Sequence, residues 1–188
     1  MIRLVLRALN APLLLLLCIL GIALQTSLFS FYPLLYLQPD IVLLVVIWCA
    51  LRRSFFEGGI LTLLLADFAE LHSAAPQGCF LLAYILIFLG VRAFAQYMVI
   101  SDLAGLVSLS MGASIAWKLI CYEILNLLGA AENQWRHTAA LLLPGAVMVG
   151  VIAIWIFRWL EKFDWVTYKN ARAMQILEDE LQLDGEGL

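Results

Sequence analysis

The chain has 188 residues, of which 64% are hydrophobic and 13% charged, with a formal net charge of −3. A soluble domain is nearer half apolar and a quarter charged, and a globule of this size cannot bury so much apolar surface. The composition excludes an ordinary water-soluble fold, and the lack of a basic stripe interleaved with aromatics excludes a nucleic-acid surface.

In chain order, Arg3 and Arg7 precede an apolar run from Ala11 to Leu24. This start looks like a signal peptide, but the run continues past Gln25-Thr26-Ser27 into Leu28–Leu37 without a small-x-small cleavage site. A membrane helix over about 8–29 is the expectation. The next segment is awkward: only 12 residues, Asp40 to Leu51, separate Pro39 from Arg52. At ~1.5 Å per residue they span ~18 Å, short of a ~30 Å hydrocarbon core. Either a proline-broken piece lengthens the helix to about 34–51, or it is short and partly re-entrant. Non-helical backbone at that depth must be covered by protein.

A third helix is expected over about 55–72, after a charged turn with Arg52, Arg53, Glu57 and Gly58. A compact turn with Pro76 and Gly78 leads to a fourth over about 79–98, interrupted near its end by Arg92. Ser101-Asp102 is a cap signal for a fifth over about 102–129. A sixth follows over about 138–159, with Pro144 in its first turns. The expected architecture is an all-α polytopic membrane domain, residues 1–160, with six transmembrane helices. Residues 161–188 form a cytosolic amphipathic and acidic tail. Phe163, Val166, Ala173, Leu177 and Leu181 approximate helical spacing, which suits a partner-docking helix as well as a frayed, solvated terminus.

Six helices place both ends on one side. With the N-terminus inside, nine of the eleven Lys and Arg residues fall on the cytoplasmic face. That asymmetry sets the orientation.

Four ionisable residues lie inside expected helices: Asp67, Glu70, Lys118 and Glu123. Asp or Lys at a helix centre costs ~2.5–3.5 kcal/mol on insertion scales, so each requires a reason. Asp67 and Glu70 are three residues apart and share one helix face, which makes either a candidate partner for Lys118. Mutual neutralisation is favoured over a transport pathway. Ala104, Ser108, Gly112 and Ala116 recur at four-residue spacing in helix five, and Ala146 and Gly150 stand in helix six. Small residues let backbones approach closely, either within the bundle, which is the favoured expectation, or against another protein's helix. The four cysteines show no CxxC or Cys/His cluster, so buried inert thiols are expected rather than a metal site or a disulfide framework. No HExxH, GxSxG or Walker-type loop occurs, so no catalytic, metal or cofactor site is assigned.

The block from 39 to 78 resembles the MreD family of bacterial rod-shape-determining membrane proteins. The matching features are Gln25-x-Ser27, Pro39-Asp40, Arg52-Arg53 with Glu57-Gly58, Asp67, and Pro76-x-Gly78. The resemblance covers about residues 10–95. Helix three here reads Leu63-Leu64-Leu65-Ala66 where the family is often Gly-rich. The resemblance implies a non-enzymatic scaffold in the inner membrane, with both termini cytoplasmic. Its implied partners are MreC, the MreB filament, a RodA-type polymerase and a penicillin-binding transpeptidase. The family fold is also similar to the S components of energy-coupling-factor transporters, which makes a small-ligand (vitamin) binding subunit the alternative. Those components carry an Ala-x-x-x-Ala pair in helix one, whereas helix one here has Ala8, Ala11 and Ala23.

Overall fold

The computed structural model describes residues 2–28, 39–73, 75–97, 103–129, 135–167 and 169. Among the described residues six helices follow one another: α1 (Ile2–Leu28), α2 (Ile41–Arg52), α3 (Phe55–Leu71), α4 (Cys79–Tyr97), α5 (Leu103–Leu127) and α6 (Trp135–Val166). No strand occurs among the described residues. Four helices, α1, α4, α5 and α6, are long and apolar enough to cross a membrane. The expected extension of helix two over 34–38, the Ser101-Asp102 cap and the tail beyond Lys169 lie outside the described residues. α6 continues past the expected boundary at Trp159 to Val166.

The short helix α2 is the centre of the bundle. Nine successive residues, Val42 to Ala50, are buried, so this helix is apolar on every face. Such a helix must be surrounded, and α2 packs against all five of the others. Around it run α1, α3, α4, α5 and α6, and along the chain each helix reverses the direction of the one before. Asp164, which also accepts from Asn10, meets Arg53 at one end, while Gln25 meets Ile41 and Tyr84 meets Asp40 at the other. The first turns of α1 and the last turn of α6 therefore share the Arg53 end.

A helix of 12 residues leaves its ends inside the protein, where unpaired N–H and C=O groups are costly. Both ends are supplied. Asp40 is the N-cap, its Oδ1 accepting from the Leu43 N–H at 2.9 Å. Gln25 Oε1 accepts from the Ile41 N–H at 3.3 Å. At the other end Arg92 donates to the carbonyls of Ala50, at 3.1 Å, and Arg53, at 2.7 Å. An acid at the N-terminus and cations at the C-terminus also match the helix dipole.

Gly58 in α3 allows the tightest contact with α2. A Cβ there would lie 3.0 Å from the Cys49 carbonyl oxygen and 3.0 Å from the Phe88 ring of α4. Across the bundle Gly150 of α6 receives Met111 and Val107 of α5. Ala146 and Gly150 are buried, so the small residues of α6 serve packing within the chain.

Candidate functional site

Two polar sites cap the ends of α2. At the Asp40 end, a cavity of about 320 Å³ opens above the helix N-terminus. α2 contributes Asp40 and Val42, with Pro39 just before it. α4 contributes Phe80 and Tyr84, and α5 contributes Ser114, Trp117 and Lys118. Gln25 and Thr26 of α1 and His72 and Ser73 after α3 complete the polar rim.

The chemistry converges on Asp40. Its Oδ2 accepts from the buried Tyr84 hydroxyl at 2.8 Å. The Lys118 ammonium interacts with the same carboxylate electrostatically. Lys118 reaches inward over Gly145 of α6, where any side chain would collide with its Nζ. Three aromatic rings form one wall: Tyr84 stacks on Trp117 at 5.5 Å, and Phe80 meets Trp117 edge-on at 5.4 Å. The Trp117 indole N–H is buried and has no acceptor among the described residues.

This arrangement corrects the expected pairing. Among the described residues no ion pair joins Lys118 to Asp67 or Glu70. Asp67 is exposed and lines a separate hollow with Glu70, Gln77 and Gly78. Glu70 serves as a cap for α4, accepting from the backbone N–H of Gly78 and, at 3.3 Å, of Leu81. Gly78 enters α4 with φ of 88°, a left-handed conformation that glycine adopts without strain. Pro76 is exposed in the preceding turn. The physical reason for the difference is rotational: the α3 face carrying Ile60, Leu63, Asp67 and Leu71 points outward, while Leu61, Thr62, Leu65 and Ala66 point inward.

At the Arg53 end the polar groups form a network. The Asp164 carboxylate accepts from the Arg53 guanidinium, from Asn10 Nδ2 at 3.1 Å and from Trp48 Nε1 at 3.1 Å. Asn10 also donates to the Thr167 hydroxyl at 2.5 Å. Glu57 sits 3.0 Å from Lys169 Nζ and 3.9 Å from Arg53. Arg52 is exposed and stacks over Trp48, 5.4 Å from the ring centroid. Asp164 is 5% exposed and Arg53 5%, so this is a buried ion pair, with every donor to it fixed by a different helix or turn.

Asp164, Asn10, Tyr84 and Trp117 were not singled out from sequence. Asn10 had a legible signal as an amide inside an apolar run, and Asp164 as a lone acid between Lys162 and Lys169. The tyrosine and tryptophan had none, since aromatic side chains in apolar helices are ordinary core.

The small-residue stripe of α5 also departs from the favoured expectation. Ala104, Ser108 and Gly112 are exposed, and only Ala116 is part-buried against the core. Ser108 donates to its own helix, to the Ala104 carbonyl at 2.9 Å, and nothing lies within 4 Å of a Cβ at Gly112. Helix α6 packs on the face of α5 that carries Val107 and Met111 instead.

All four cysteines are free and buried, and Cys79 and Cys121 share a small cluster with Ala83. No group of metal-ligating side chains occurs among the described residues. Comparison with protein-family models, curated proteins and solved structures returns no match.

Proposed function

We propose that this chain is an MreD-like, non-enzymatic scaffold of the bacterial inner membrane that docks a bitopic partner of the MreC type. In this reading all six helices lie in the bilayer, α2 enclosed by its neighbours, and the Arg53 end faces the cytoplasm. Through MreC it would couple MreB filaments to a RodA-type polymerase and a penicillin-binding transpeptidase. The observation that carries the reading is the outward α5 face of Ala104, Ser108 and Gly112, which the described residues leave open. Small residues at four-residue spacing are what a second transmembrane helix needs for close backbone approach. Packing of α6 on the other side of α5 leaves this face accessible along about two turns.

The test is co-purification of the tagged chain with MreC from native membranes, in parallel with Gly112→Leu. Wild type is expected to retain MreC, and the leucine variant, with its bundle intact, to lose it. Depletion is expected to round the cells. Rod shape and MreC localisation unchanged on deletion would overturn the scaffold assignment.

A further inference from the structure

The scaffold reading makes no use of the outward face of α6. From Leu143 this face runs through Val147 and Val151, all exposed and apolar. Trp155, 76% exposed, comes next. Arg158 and Lys162 follow, both exposed, and Trp165, 59% exposed, closes the stripe. At about 100° per residue all of these positions fall within roughly 120° of the helix surface. Ala153, Phe157, Leu160 and Asp164, all buried, occupy the other side. The ion pair between Asp164 and Arg53 ties that side to the end of α2, so the rotation of α6 is fixed with both cations outward.

Nineteen steps separate Leu143 from Lys162. At ~1.5 Å each they rise about 29 Å, close to the ~30 Å of a hydrocarbon core. An apolar face of that length, ending in tryptophan and then in cations, follows the polarity of a bilayer from its core to its headgroups. Arg158, one turn short of Lys162, reaches the same level by extending its stem. Their four-residue spacing places the two side chains one above the other, within reach of one phosphate. Neither has an ion-pair partner among the described residues. Glu161, exposed beside them, leaves the turn with a net positive charge. Close approach of a second helix needs small residues. The α5 stripe supplies those, whereas Trp155 and Trp159 here hold another backbone away and leave room for flexible acyl chains.

We propose that this face of α6 binds one anionic phospholipid, its phosphate held between Arg158 and Lys162 and its acyl chains lying along Val151 and Val147. The site needs only that α6 cross a bilayer, and it is independent of the scaffold assignment.

The test is native mass spectrometry of the full chain in neutral detergent, titrated with phosphatidylglycerol or phosphatidylcholine. Phosphatidylglycerol is expected to be retained at least about tenfold more tightly, from the attraction of two cations to an anionic headgroup. Arg158→Gln with Lys162→Gln should retain one phosphatidylglycerol fewer per chain. Arg52→Gln, which removes an exposed cation at the same end of the bundle, should retain the wild-type number. If the double variant fails to fold, a benzophenone amino acid in place of Val151 decides: illuminated in native membranes, it is expected to give a phospholipid adduct. Equal retention of the two lipids, or an unchanged number in the double variant, would overturn the proposal. So would an equal loss in Arg52→Gln, which would show diffuse attraction to the whole end. A protein adduct at position 151 would show that a partner chain covers the face, and would overturn it too.

Discussion

At the residue scale, the decisive contrasts are between side chains of the same type in different surroundings. Two aspartates illustrate it. Asp164 is buried with the Arg53 guanidinium, so removing it strands a cation. Asp164→Ala should cost about 3–5 kcal/mol of stability, read by unfolding in SDS–detergent mixtures. Replacing both partners, Asp164→Leu with Arg53→Met, should recover much of that loss, because neither charge is then left unpaired. Asp67, exposed on the outward face of α3, should tolerate Asp67→Ala within about 0.5 kcal/mol in the same assay. Two glycines make a similar contrast. A Cβ at Gly58 meets backbone and an aromatic ring, which cannot step aside, so Gly58→Ala should cost about 1–3 kcal/mol. A Cβ at Gly145 meets the tip of Lys118, a flexible group that can swing away. Gly145→Ala should therefore cost less than Gly58→Ala, through displacement of Lys118 rather than through backbone strain, read as a smaller drop in thermal midpoint.

At the element scale, α2 explains most of the polar design. A helix too short to carry its own ends into water takes its terminal partners from its neighbours: Gln25 from α1, Tyr84 and Arg92 from α4, and Asp164, by way of Arg53, from α6. The same logic recurs at the start of α4, where Glu70 of the preceding helix receives the N–H groups of Gly78 and Leu81. Glu70→Ala should destabilise by about 0.5–2 kcal/mol, the usual cost of a lost N-cap, visible as a lowered thermal midpoint in detergent. Glu70→Gln keeps an acceptor oxygen and should cost less. Sequence reasoning saw the shortness of this central helix and inferred that protein must cover it. It did not see that α1, α4 and α6 would also donate or accept at its ends.

At the scale of the whole molecule, α2 divides the bundle into a sealed end and an open one. The Arg53 end is closed by a network joining α1, α2, the α2–α3 turn and α6, whereas the Asp40 end carries the cavity. The α5 stripe faces away from both. On the scaffold proposal, Gly112→Leu should release the docked partner in a pull-down while leaving the thermal midpoint of the bundle unchanged, since nothing lies within 4 Å of a Cβ at that position.

The amino-acid sequence by itself determined the class of solvent, the number of helices and most of their limits, because apolar run length and turn residues are local quantities. It also singled out Lys118 as a charge that needed a partner, and marked Asp40 and Arg53 at the two ends of the short second helix. Only the tertiary structure decided which partners they have. Lys118 is matched with Asp40 rather than Asp67 because helix rotation, invisible in a nearly uniform apolar run, turns Asp67 outward. Arg53 is matched with Asp164, 111 residues away, because the last turn of α6 folds back beside α2. When almost every residue of a helix is apolar, hydrophobic periodicity no longer reports which face is buried, and packing alone settles it.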